Sequence, residues 1–360
     1  MKLAILGARG IPARYGGFET FAERLATGLT RRGIEVTVYC EDIPERLSSY
    51  EGVRLEYRKV PKLGPLSTIL FDVRCLWHAR RRYDVVYMLG YGAAFFCFLP
   101  RIWKKKVWIN MDGIEWARSK WNWPARFWLK AMEGVAIQIP DRVIADAEEI
   151  GIFLKARYRK TSPISVIPYG ADVTETAPDS RLLEKWKLSP DDYCLVVCRL
   201  EPENHVLEIL KGYEQSAADL PLVVVGDHEI DTSYVRRLKM VKDGRIKLIG
   251  TVYDQEKLNA LRYHCRVYFH GHSVGGTNPS LLEAMGCGNM VIAHDNRFSR
   301  EVLGESGFYF GTEADIPALL NEALSCNRRQ SISIAAMDRI RQRYSWEGVM
   351  DSYCSLLKER

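Results

Sequence analysis

Short apolar runs alternate with longer stretches of helical periodicity along the whole chain. Residues 2–6, 36–40, 85–89, 107–110 and 143–145 are β-branched and apolar, the pattern of strands covered on both faces. Between the first two, residues 18–32 place Phe21, Leu25 and Leu29 on one side of a helix. Residues 165–168 run into Tyr169-Gly-Ala-Asp172, which reads as a crossover between domains. A second series follows at 194–198, 222–225, 247–249, 267–269, 291–293 and 308–310, again with helical segments between. Alternating strands and helices predict parallel sheets with helices on both faces. Two such series joined near residue 170 predict an α/β chain of two Rossmann-like domains facing a cleft.

Composition narrows the class. A length of 360 residues suits two domains better than one core, and 47% hydrophobic with 27% charged residues is ordinary for a soluble globular protein. Residues 3–6 are too short for a signal peptide, and the longest apolar run, 91–100, is half the roughly 20 residues of a spanning helix. The nine cysteines are scattered without Cys-x-x-Cys pairs or zinc spacing. Reduced thiols in the cytoplasm, with no metal or other cofactor required, are the expectation.

Ligands of open parallel sheets bind beyond the carboxyl ends of the strands, so the candidate chemistry is sought there. Residues 275–288 read Gly-Gly-Thr-Asn-Pro-Ser-Leu-Leu-Glu-Ala-Met-Gly-Cys-Gly. Asn278 is a helix cap and Pro279 a good first helical residue. Gly275 and Gly276 allow close backbone approach, and the amides from Gly276 through Thr277 and Ser280 to Leu281 would face a phosphate. Glu283, one turn further on, can accept hydrogen bonds from sugar hydroxyls. His272 precedes this loop and would line the cleft; with His270 alone it makes a structural pair rather than a metal site.

Strand 194–198 delivers Arg199, followed by Glu201, Glu203, Asn204 and His205. An arginine here can bridge a diphosphate and stabilise its charge as it leaves; the alternative is a pair with Glu201 or Glu203. The first strand ends in a long loop carrying Arg9, Arg14, Gly16 and Gly17, whose spacing fails the dinucleotide fingerprint and suits phosphate or sugar contact. After strand 107–110, Asp112 or Glu115 could orient an acceptor hydroxyl or stabilise positive charge at a reacting sugar carbon. Alternatively Asp112 caps the next helix.

Residues 101–130 hold six of the nine tryptophans and eight Lys or Arg, including Lys104, Lys105 and Lys106, against Asp112 and Glu115 alone. Arg80, Arg81 and Arg82 lie nearby in sequence. Basic residues interleaved with tryptophan fit an anionic membrane surface. Stacking on single-stranded nucleic acid is the other use of such a composition, but no nucleic-acid motif accompanies it. The structural alternative is tryptophans in a core and lysines on a solvated face.

Gly16-Gly17, the strand-end Arg199, residues 167–172 and the run from Gly275 to Glu283 together resemble family 4 retaining glycosyltransferases of the GT-B fold, over essentially the whole chain. Residues 9–19, 110–116 and 270–280 further resemble its bacterial rhamnosyltransferase-like subgroup, used in capsule and O-antigen assembly. The resemblance implies an acceptor-binding domain at 1–170, a nucleotide-sugar-binding domain at 171–343, and a helix at 344–360 returning to the first domain. It implies that Gly16, Gly17, Arg199, Asn204, His272, Gly275, Gly276, Thr277, Asn278, Ser280, Leu281 and Glu283 contact the donor. Asp112 and Arg199 would carry catalysis, Arg199 as the diphosphate arginine and Glu283 as the ribose glutamate.

Three departures stand out. The family's first glutamate of its Glu-x7-Glu pair is Gly275 here, its lysine is Asn204, and its N-domain histidine is Asp112. The expected activity is transfer of a sugar, such as rhamnose from a dTDP donor, to a lipid-linked saccharide, at the cytoplasmic face of the membrane. The rivals are a nucleotide-sugar epimerase of the same fold and a non-catalytic membrane- or nucleic-acid-binding protein.

Overall fold

The computed structural model describes residues 1–13, 16–60, 63 and 66–359. Arg14, named above as a candidate contact, lies outside them. The chain divides into two compact units, Met1–Tyr169 with Trp346–Arg360, and Gly170–Ser345.

The first unit is built on β1 (Lys2–Leu6), β2 (Glu35–Glu41), β3 (Ser49–Tyr50), β4 (Val53–Arg58), β5 (Val85–Leu89), β6 (Lys106–Met111), β7 (Arg142–Ala145) and β8 (Ile164–Val166). Their order is β3-β4-β2-β1-β5-β6-β7-β8. All pairs are parallel except β3 with β4. Central strands are wholly apolar because both faces are covered: Leu3, Ala4, Ile5 and Leu6 are fully buried. Strands β3 and β4 lie in the stretch that hydrophobic runs left blank. In β4 the apolar Val53, Leu55 and Tyr57 alternate with Arg54, Glu56 and Arg58, a period-2 pattern near the sheet's edge rather than a continuous run.

The second unit holds β9 (Cys194–Val197), β10 (Leu222–Val225), β11 (Ile246–Gly250), β12 (Val267–His270), β13 (Val291–His294) and β14 (Gly307–Phe310). They are all parallel, in the order β11-β10-β9-β12-β13-β14. In both sheets the chain first adds strands to one side and then crosses to the other. The crossover opens a crevice between β1 and β5 in one unit and between β9 and β12 in the other.

The helix Trp346–Lys358 belongs to the first unit. It packs on the helix Gly17–Arg31, where Gly28 leaves room for the Met350 side chain. Tyr353 meets Tyr87 of β5 hydroxyl to hydroxyl at 2.7 Å, and Asn110 Nδ2 donates to Tyr87 at 2.9 Å. The joint falls after Ser345 rather than before residue 344, because Ala171 N donates to Tyr344 O and Ala171 bridges Ser345, which holds both in the second unit.

Candidate nucleotide-sugar site

Both loops that flank the second unit's crevice carry residues singled out in the sequence. Arg199 leaves β9 with its side chain half exposed and 3.6 Å from Glu201 Oε2, a loose partner rather than a buried one. Asn204, by contrast, is buried. Its Nδ2 donates to Arg199 O at 2.6 Å, so its Oδ1 is the acceptor facing His272 Nδ1 at 2.8 Å. Ser273 N and Oγ both donate to Glu203 O. Gly271 passes so close to Asn204 that a Cβ would overlap its carbonyl oxygen. These contacts join the loop after β9 to the loop after β12.

The helix Pro279–Gly286 begins as its sequence dictates. Asn278 Oδ1 accepts from Ser280 N at 3.0 Å, with proline in the first turn. Ser280 and Leu281 turn inward. Ser280 Oγ donates to Val197 O at 2.9 Å and meets Tyr268 Oη at 2.5 Å, which pins the helix start to the end of β9 and to a side chain of β12. Leu281 is buried, and its amide donates to Asn278 O. The side chains of these two residues build the site rather than face into it. Thr277 is buried as well.

Gly275 explains the missing first glutamate of the family pattern. Its φ is 142°, a region that disfavours residues with a Cβ, and a Cβ there would stand 2.8 Å from His272 Nε2. A side chain at 275 would therefore be strained by its backbone and would displace the His272 ring. Glu283 is one-third exposed, and its Oε2 lies 2.5 Å from Arg262, a buried arginine on the helix Gln255–Tyr263. Runs and motifs did not single out Arg262; the signal was a lone arginine on the buried face of a helix.

Four histidines gather at the carboxyl edge of this sheet. His205 stacks on His294 with centroids 3.9 Å apart, and His270 lies 6.3 Å from His272. Burial, with a smaller push from His294, lowers His270 to about 3, and burial with His205 lowers His294 to about 4. Both are neutral at pH 7. Among the described residues no group of three His, Cys, Asp or Glu is placed to hold a metal ion.

In the first unit Asp112 and Glu115 follow β6 and differ sharply. Glu115 is an ion-pair partner of the buried Arg118, 2.6 Å away, and its N donates to Tyr91 Oη at 2.8 Å. Burial raises its carboxyl above the ordinary range, against the pull of Arg118. Asp112 is half-buried and makes no hydrogen bond or ion pair among the described residues. It does not cap the short helix Glu115–Ala117, whose N-cap is Ile114 without a side-chain bond. Gly16 and Gly17 start the helix Gly17–Arg31, also in this unit. Glu19 and Glu23 of that helix accept from the amides of Arg9 and Ala13, which ties the preceding loop down.

The segment 101–130 is not one surface. Lys104, Lys105 and Lys106 stand at the amino end of β6, whereas Asp112 follows its carboxyl end, about 20 Å away across six residues. Lys106 Nζ donates to Glu359 O at 2.6 Å, and Lys105 is 3.9 Å from Asp84. The tryptophans divide too. Trp108 is buried, Trp116 donates to Glu133 at 2.7 Å and Trp128 to Gly92 O at 2.9 Å. Trp123 and Phe127, one turn apart on the helix Trp123–Ala136, are 80% and 73% exposed. Among the described residues no helix is long and apolar enough to cross a membrane.

Residues 1–172 match a family described as a domain of unknown function (DUF1972), and residues 191–326 match the glycosyl transferases group 1 family. Over 174 residues the chain is 24% identical to the O-antigen chain mannosyltransferase B of Escherichia coli, covering 46% of this chain and 45% of that protein. The fold is similar to that of sucrose-phosphate synthase from Thermosynechococcus elongatus, with a TM-score of 0.83 at 15% identity over 99% of this chain and 98% of the other. It is also similar to Anabaena HepE in complex with UDP and glucose, with a TM-score of 0.80 at 17% identity over 99% of each chain. The chain therefore has a GT-B fold, and its residues 191–326 are similar to the glycosyl transferases group 1 family.

Proposed function

We propose that the protein is a retaining glycosyltransferase of cell-surface polysaccharide synthesis, moving a sugar from a nucleotide-diphosphate donor to a lipid-linked saccharide. The observation that carries this reading is the joined pair of loops at the β9/β12 crevice, in the unit that contains the group 1 domain. Arg199 is half exposed there and only loosely paired, beside the capped start of the helix Pro279–Gly286. A guanidinium and a helix N-terminus are both suited to a diphosphate and to the charge that grows on it as the sugar departs. The match to an O-antigen mannosyltransferase supports the substrate class, and a HepE structure holding UDP and glucose supports a nucleotide-sugar donor.

In this reading Glu283 accepts hydrogen bonds from the nucleotide's ribose. The donor sugar meets the backbone and small groups of Gly275, Gly276, Thr277 and Asn278, since Gly275 supplies no carboxylate. A deoxy sugar such as rhamnose, with fewer hydroxyls to hold, fits that poorer set. Asp112, with no hydrogen bond or ion pair among the described residues, is the better acceptor-side acid than the paired Glu115. The first unit rests on an anionic membrane through Trp123 and Phe127, with the exposed Lys120, Arg126 and Lys130 beside them in sequence.

The test is nucleotide-sugar turnover and binding in Arg199→Ala and Glu283→Ala. Losses of about a hundredfold or more are expected in kcat/KM for Arg199→Ala, the scale of removing a group that stabilises developing charge. Full activity in both variants would reject the site. Screening UDP-, GDP- and dTDP-sugars by thermal shift identifies the donor, because the bound form is stabilised by mass action.

A further inference from the structure

Arg262 is a buried cation that the proposed mechanism does not use. Its side chain is 5% exposed, it sits on the helix Gln255–Tyr263, and its terminal nitrogen lies 2.5 Å from Glu283 Oε2. Asn289 Nδ2 donates to its carbonyl at 2.6 Å, and its Nε–H has no hydrogen-bond partner among the described residues. Tyr268 is a further neighbour, and the same tyrosine holds Ser280 in the first turn of the helix Pro279–Gly286. A guanidinium is tolerated in such a place only with a good counter-charge. Its counter-charge here is not buried beside it but one-third exposed, on the turn that follows the helix start.

That asymmetry has a chemical consequence. A carboxylate on a two-carbon stem at a helix surface samples several rotamers. An arginine contact on one oxygen restricts the rotamer. The second oxygen, Oε1, then has a set direction from which to accept a ligand hydroxyl. We propose that Arg262 is a positioning residue: it clamps Glu283 Oε2 so that Oε1 is held ready for a hydroxyl of the nucleotide's ribose. The proposal rests on the ribose role of Glu283 given above.

The experiment measures dissociation constants of the full chain for UDP and dTDP, each against its 3′-deoxy counterpart. The wild type is expected to lose tenfold to a hundredfold in affinity for the 3′-deoxy form, the range for a hydrogen bond to a charged group. Glu283→Ala should abolish that discrimination. Arg262→Met should abolish most of it, and Arg262→Lys, which keeps the charge but not the planar fork, should retain a part. If Arg262→Met does not fold, Arg262→Lys carries the comparison. Unchanged discrimination in Glu283→Ala would sink the ribose role itself and the proposal with it. Loss in Glu283→Ala with full discrimination in both Arg262 variants would leave the ribose role standing and overturn the clamp.

Discussion

Asn204 Oδ1 lies 2.8 Å from His272 Nδ1, while the same amide's Nδ2 donates to Arg199 O at 2.6 Å. One buried side chain thus ties the arginine loop after β9 to the glycine loop after β12. The amide's orientation also assigns the histidine's proton: an oxygen facing Nδ1 makes Nδ1 the protonated nitrogen.

Asn204→Leu keeps the volume and removes both bonds. Each buried group left without a partner costs about 1–3 kcal/mol. The melting temperature should fall, and nucleotide affinity should fall further than stability alone explains, because the two loops are no longer registered. Calorimetric binding of the tightest nucleotide diphosphate at a temperature where the variant is folded checks this. Wild-type affinity there would mean that the loops are aligned by the rest of the sheet.

The division of 101–130 across β6 redirects the membrane test. Trp123→Ser with Phe127→Ser should reduce co-sedimentation with phosphatidylglycerol vesicles by roughly tenfold or more, since each exposed aromatic offers about 1.5–3 kcal/mol of burial. Replacing Lys104, Lys105 and Lys106 by glutamate should have the smaller effect. The reverse ranking would place the contact at the amino edge of the sheet.

Acid should destabilise the second unit. His270 and His294 titrate at about 3 and about 4 in the folded chain, against about 6.5 when unfolded. Below pH 6.5 the unfolded chain binds protons that the folded chain refuses, so stability present above 6.5 is lost as pH falls toward 4. The His270 share is on the order of 3 kcal/mol at pH 4. Urea unfolding from pH 7 to 4 should show the slope, and His270→Gln should flatten it; an unaltered slope in the variant would assign the acid sensitivity elsewhere.

Asp72 gives the opposite sign in the first unit. Burial, helped by Glu41, pushes its carboxyl up to about 8, and its Oδ1 has no hydrogen-bond partner among the described residues. The folded form keeps a proton that the unfolded chain releases above pH 4, so the stabilising share present below pH 4 is lost as pH rises to 8. Asp72→Asn, which mimics the protonated acid, should raise stability by a few kcal/mol at pH 8 and by little near pH 4. Equal melting temperatures of variant and wild type at pH 8 would contradict it.

Much of the sheet architecture was legible in the chain because buried parallel strands are written as continuous apolar runs. The central strands from β1 to β14 follow that rule. The half-exposed β4 does not, and its alternation of Val53, Leu55 and Tyr57 with charged residues needed a period-2 reading. The cap at Asn278 and the start at Pro279 were equally legible, since capping depends on residues within one turn.

Candidate residues were legible by type and by place after a strand, but not by direction. Ser280 and Leu281 turn inward, Glu115 is taken by Arg118, and Asp112 is left without a hydrogen bond or ion pair among the described residues; each outcome depends on neighbours far apart along the chain or across a turn.

The sequence by itself determined the alternating strands and helices, the break near residue 170 and the helix start at 279, because these depend on local periodicity and on short-range backbone chemistry. Tertiary structure alone decided that Arg262 reaches Glu283 and that Asn204 holds His272. Those relations arise from which strands become neighbours in the sheet and which way each one runs, which local periodicity does not specify.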